Sequence, residues 1–122
     1  MTTTTIAVDT EGEQVTLVNV FTVAPGHQDE LVDALDRATV EVFVGDPGFV
    51  SANLHASLDG SRVINYAQWT SRESYEAALA RPEVREHIGK AAALAVSYDP
   101  TLVRVRAVHH VGAGEPFTEQ GR

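Results

Sequence analysis

Apolar residues recur along this chain with two periods, two and about 3.6, and the alternation between them predicts the elements. Residues 14–23 are rich in β-branched side chains and end at Ala24-Pro25-Gly26, which predicts a strand and then a turn. Over residues 27–44 the apolar positions Leu31, Ala34, Leu35, Ala38 and Val42 make one helical stripe. Asp29 and Glu30 suit the positive end of its dipole, and Gly45-Asp46-Pro47-Gly48 stops it. Residues 49–58 then alternate, with Val50, Ala52, Leu54, Ala56 and Leu58 on one face against Ser51, Asn53, His55 and Ser57 on the other. Asp59-Gly60 signals a hairpin, and residues 62–69 return as the partner strand. Thr70 with Glu73 reads as a capping box. The helix it opens carries Tyr75, Ala78 and Leu79, then restarts at Pro82 with the stripe Val84, Ile88, Ala91 and Ala95. Tyr98-Asp99-Pro100 reads as the break, and residues 101–111 as a last strand.

Strand, helix, strand, strand, helix, strand is the order of an α+β, ferredoxin-like split β-α-β fold. It predicts a four-stranded antiparallel sheet with the helices on one face. The first strand is apolar on both parities, with Val18 and Val20 set against Leu17, Phe21 and Val23. Helices cover only one face of such a sheet, so the other face is expected to pack on a second copy as a homodimer. Residues 1–13 and 112–122 read as flexible tails around one domain over residues 14–111.

The 122 residues suffice for one domain, and folding buries about two-thirds of the unfolded chain's surface, which is enough for a real core. There is no cysteine, which excludes disulfides, thiolate metal sites and cysteine nucleophiles. A net charge of −8 argues against nucleic acid and anionic membrane as partners. No apolar run is long enough to span a bilayer, and the Met-Thr-Thr-Thr-Thr start is not a signal peptide, so the cytoplasm is the expected address. Neither a Gly-rich phosphate loop nor a Gly-x-Ser-x-Gly elbow occurs. His109 and His110 would point to opposite faces of a strand, and no His-x-His or His-x-x-x-His pair exists, so no protein-bound metal is expected.

Polar residues on apolar strands carry more. Asn19 shares a face with Leu17 and Phe21, and Asn65 shares one with Val63, Ala67 and Trp69. If those two strands are neighbours, two asparagines and the sole tryptophan line one space, and Tyr75 lowers its hydroxyl into it from the helix above. That makes an apolar pocket with a few convergent polar groups, suited to a small aromatic ligand. Each residue also has a plain structural reading. A lone buried Asn is more often a bulge or strand-end device than a ligand group, and Trp69 and Tyr75, each taken alone, read first as core aromatics. His55 is either solvent-exposed or reaches the pocket from the edge. The acidic run Asp29, Glu30, Asp33, Asp36 reads as a solvated helix face.

The stretch from Leu17 to about Val111 resembles the antibiotic biosynthesis monooxygenases, small dimeric α/β barrels. The likeness rests on Asn19 in Val-Asn-Val-Phe, the Pro25-Gly26 turn, Gly45-Asp46-Pro47-Gly48-Phe49 and Asn65-Tyr66-Ala67-Gln68-Trp69. The Asn-x-x-x-Trp spacing with a following Tyr is similar to the anthrone oxygenase branch of aromatic polyketide pathways. That branch converts an anthrone to a quinone with dioxygen and no cofactor. The resemblance implies Asn19, Asn65 and Trp69 as catalytic residues, with Tyr75, His55, Phe21 and Arg85 around the substrate. Arg85 is out of register with the family's helix arginine. Ala78 stands where haem-degrading relatives carry a tryptophan, which disfavours that branch. A polyketide cyclase or isomerase on the same scaffold, or a non-catalytic small-ligand-binding domain, are the alternatives.

Overall fold

The β-branched run after Gln14 forms β1 (Val15–Thr22), and Gly26, at φ 84°, supplies the left-handed residue that turns the chain into α1 (Gln28–Ala38). The computed structural model describes residues 4–111. After α1 come a π-helical turn (Thr39–Phe43), β2 (Phe49–Ala56), β3 (Arg62–Trp69), α2 (Arg72–Leu79), α3 (Pro82–Ala92) and β4 (Ser97–Val103). The sheet runs β2-β3-β1-β4 and every neighbouring pair is antiparallel. This is the ferredoxin-like arrangement that the element order predicts.

Register sets what each face carries. Leu17, Asn19 and Phe21 stand opposite Ala67, Asn65 and Val63 on β3, and opposite Leu102, Pro100 and Tyr98 on β4. The helices lie over this face: Leu31 and Leu35 of α1 and Ala91 of α3 pack with Phe21, Val23 and Val63. At the other end Val15, Trp69 and Ala78 form a second buried cluster, with Phe43, Phe49, Tyr75 and Leu102 against it.

Several expected boundaries move, each for a physical reason. The first helix does not run evenly to residue 44. The Thr39 hydroxyl donates to Leu35 O (2.8 Å), and Val44 N–H reaches back five residues to Thr39 O (3.1 Å), so a widened turn replaces the last α-turn. The second helix is capped one residue later than Thr70-Glu73 implies. Ser71 has extended φ/ψ and its hydroxyl accepts from Ser74 N–H (3.0 Å), while Thr70 pairs with the Ser74 hydroxyl (2.9 Å). The second strand ends at Ala56, ahead of the Ser57–Arg62 hairpin bond. Tyr98-Asp99-Pro100 is no break: it lies inside β4, an edge strand, where a proline's missing N–H costs no ladder bond. Residues 104–111 carry no regular structure, although the pattern predicts a strand there.

On the sheet's outer face Gln68 and Thr16 are buried. Gln68 donates to Ala7 O and accepts from the Ser51 hydroxyl, and Arg104 donates to Gly12 O (3.1 Å). The segment expected as the first tail therefore touches this face through Ala7. The tail expected at 112–122 lies outside the described residues. Val18, Val20, Ile64 and Tyr66, also on the outer face, are half-buried. Among the described residues no helix is long and apolar enough to cross a membrane.

Candidate active site

Between the two core clusters the helix layer and sheet do not meet. They leave a cavity of about 200 Å³ whose floor is β1 and β3 and whose roof is α1, the π-turn, α2 and α3. Apolar side chains such as Leu17, Leu35, Leu79 and Ile88 make up most of its lining, and no charged side chain among the described residues joins them. Tyr98 and Pro100 of the edge strand are exposed and stand at its rim.

Three polar atoms break the apolar floor. Asn19 Oδ1, Asn65 Oδ1 and Trp69 Nε1 are buried and find no hydrogen-bond partner among the described residues. Asn19 and Asn65 face one another across the β1–β3 ladder, and Trp69 lies two pleats further along β3 on the same face. A buried polar group without a partner costs about 1–3 kcal/mol, and most buried polar groups avoid that cost. Three such groups lie together on one apolar floor and face the cavity. Each carboxamide can turn end for end, so each asparagine can offer an N–H or an oxygen.

Aromatic rings wall one end. Trp69, 2% exposed, makes T-shaped contacts with Phe43 (centroids 5.6 Å, 84°), Phe49 (5.5 Å, 76°) and Tyr75 (5.8 Å, 69°). Phe43 and Phe49 stack on each other at 5.9 Å and 22°. Such geometry sets ring edges against ring faces, the arrangement aromatic pairs prefer. Burial, with a smaller contribution from the Glu76 carboxylate, raises the Tyr75 phenol above its usual pKa of 10.0. At neutral pH it is therefore a hydrogen-bond donor and not a base.

Of the residues singled out from sequence, Asn19, Phe21, Asn65, Trp69 and Tyr75 all line the cavity. His55 does not. It pairs with Ile64, whose parity is opposite to that of Asn65, so it sits exposed on the outer face. Arg85 is exposed on α3 and is absent from the lining as well. Phe43 and Phe49 were missed for a shared reason, an extra residue. Continuing the α1 stripe by four from Ala38 reaches Val42, but the widened turn brings Phe43 to the cavity. Strict alternation puts Phe49 with the polar residues of its strand, but a bulge between Phe49 and Ser51 returns it to the inner face opposite Trp69. Among the described residues no group of three His, Asp or Glu side chains could hold a metal ion.

A profile of the antibiotic biosynthesis monooxygenases matches residues 14–90. The chain belongs to that family. It is 41% identical over 101 residues to tetracenomycin F1 monooxygenase from Streptomyces glaucescens, an overlap of 83% of this chain and 88% of the relative. SnoaB from Streptomyces nogalater, a cofactor-independent oxygenase, is similar in structure at a TM-score of 0.70 and 30% identity, over 80% of this chain and 97% of SnoaB. A monooxygenase from Streptomyces coelicolor, ActVA-Orf6, solved in complex with the ligand nanaomycin D, gives a TM-score of 0.73 at 29% identity. It overlaps 85% of this chain and 96% of its own. The family match takes in every element from β1 to most of α3, and so the whole floor and roof of the cavity apart from the β4 rim.

Proposed function

We propose that this antibiotic biosynthesis monooxygenase uses dioxygen, without a cofactor, to convert an anthrone-like polycyclic phenol to its quinone. One observation carries the reading: three unpartnered polar atoms on the floor of an otherwise apolar cavity, beneath a wall of aromatic rings. The named chemistry of the relatives supports it. Dioxygen does not react directly with a closed-shell phenol because the spin change is forbidden, so the work is to make and keep a substrate anion.

In the proposed course the substrate loses a proton and becomes an enolate whose charge is spread over its rings. No carboxylate or histidine among the described residues lines the cavity, so the proton leaves to water or through the substrate's own phenolate oxygen. Asn19 and Asn65 turn their amide N–H groups to the anionic oxygens, an oxyanion-type contribution of about 3 kcal/mol for a well-placed donor. Trp69 stacks on the ring beside the dioxygen niche and offers its indole N–H. The anion gives one electron to dioxygen, and the carbon radical and superoxide join in a C–O bond. The peroxide takes up a proton, with Tyr75, held as a phenol, as donor. Loss of the remaining C–H proton then breaks the O–O bond and releases water, leaving C=O. The balance is one ring methylene and one dioxygen consumed, one ring carbonyl and one water formed. Dry walls protect the anion and the peroxide from hydrolysis and stray protons.

A homodimer built on the outer face belongs to the same proposal, supported by half-buried Val18, Val20, Ile64 and Tyr66 there. To test the activity, anthrone is incubated with enzyme in air and under argon, while an oxygen electrode and the quinone absorbance are followed. Wild type should consume one dioxygen per quinone formed, and only in air. Equal quinone yield under argon overturns the reading. A changed substrate with no oxygen uptake identifies a cyclase or isomerase instead, and binding without turnover a ligand-binding domain.

A further inference from the structure

The aromatic wall stands on a segment with few regular bonds. Phe43 ends the π-turn, Phe49 begins β2, and the residues between them are turns. Local bonds stiffen the segment: Asp46 N–H to Phe43 O (2.9 Å), Phe49 N–H to Asp46 O (3.1 Å) and Gly48 N–H to Asp46 Oδ1 (2.8 Å). Two features tie it to the helix layer. Gly48 passes so near α2 that a Cβ there would lie 2.4 Å from Ser74 Cβ, so only glycine fits. Arg81, in the junction between α2 and α3, donates from Nη2 to Val42 O (3.1 Å) and meets Asp46 Oδ2 at 3.2 Å.

We infer that Arg81 is a positioning residue for the cavity, acting through Val42 and Asp46 to hold Phe43 and Phe49 against Trp69. Val42 O is one of the end carbonyls that a helical turn leaves without a partner, and a guanidinium satisfies it. The Asp46 side chain is only 11% exposed, and a carboxylate so far from water needs a cation beside it. Arg81 thus bonds to the residue immediately before Phe43 and to one three residues before Phe49. Both contacts come from a single nitrogen, and Nε is buried without a partner among the described residues. The grip therefore asks for one charged donor at one point, which a lysine ammonium also supplies.

This inference rests on the monooxygenase reading only where turnover is measured. Trp69 is the chain's one tryptophan, so its emission reports the packing of the wall in the ligand-free protein. Arg81→Gln should shift that emission to the red and increase acrylamide quenching, while far-ultraviolet circular dichroism stays that of a folded protein. With an oxidisable anthrone, KM should rise about tenfold, the factor one ordinary hydrogen bond or partly buried ion pair carries, with kcat within about twofold. Arg81→Lys should recover most of both signals, and Arg72→Gln, which removes an exposed pair with Glu76, should change neither. If Arg81→Gln fails to fold, Asp46→Asn keeps the oxygen that Gly48 uses, removes the charge, and should give the same red shift. Unchanged Trp69 emission in the folded variants, or lysine performing no better than glutamine, overturns the inference. Absence of oxygen uptake by wild type sinks the monooxygenase reading and leaves the emission test standing.

Discussion

The two ends of the helix–sheet layer are built from the same strands and solve different problems. At one end Phe21, Leu31, Leu35, Val63 and Ala91 fill the space with hydrocarbon, and Leu31 and Val63 are fully excluded from water. At the other end rings meet edge to face around Trp69, and the space beside them stays open. The first end draws its buried residues from regular elements, apart from Val23 just past β1. The second depends on a widened helical turn, a strand bulge and a glycine that admits a close approach. Stability comes from regularity at one end, and the opening is made by departures from it at the other.

A few experiments press on that contrast, taken from the largest effect to the smallest. Leu31→Ala removes a fully buried side chain from the filled end and should cost about 2–5 kcal/mol, lowering the melting temperature by roughly 10–20 °C. A loss below about 1 kcal/mol in a denaturant titration would mean that this end is not the better packed one. Trp69→Phe and Asn65→Ala act at the open end. Each should reduce oxygen uptake with an anthrone by about 10²–10³-fold, while the melting temperature changes far less than in Leu31→Ala. Asn65→Leu should separate the two properties most clearly. It removes a buried carboxamide oxygen that has no partner, so stability should hold or rise by about 1 kcal/mol as activity disappears. A strongly destabilised Asn65→Leu would instead assign Asn65 a structural bond.

The smallest effects concern pH. Tyr75 has a folded pKa above its ordinary 10.0, so the folded state holds its proton more tightly than the unfolded chain does. Its stabilising effect is complete below pH 10 and is lost as pH rises through the folded value; Tyr75→Phe should flatten that alkaline decline. At the β2–β3 hairpin, hydrogen bonds from the Ser61 side chain and backbone, then from Ser57, lower Asp59 to about 2. Its contribution is present above pH 3.8 and is lost as pH falls toward 2, a limb that Asp59→Asn should remove.

Period and turn chemistry made the regular parts legible. Gly26, Gly60 and Pro82 mark their turns and helix start, the helical stripe finds Leu31 and Leu35, and period-two parity brings Asn19, Asn65 and Trp69 to one floor. What escaped was displaced by a single residue. Phe43 and Phe49 are off-pattern because a period counts forward evenly, whereas a π-turn and a bulge each add one position. Proline misled in β4 because strand order, which makes that strand an edge, is a long-range fact. Arg81 carries no local signal, since its two acceptors lie about forty residues away in the chain.

A π-turn is an α-helix that has gained one amino acid, and the gain can be reversed. Deleting Val40, whose side chain is exposed, would let the ordinary four-residue ladder close and swing the ring of Phe43 by about 100° around the helix axis. Within this scaffold, then, the bore of the chamber is adjustable by a three-nucleotide insertion or loss in its gene. A wider or narrower cavity can thus arise in one mutational event.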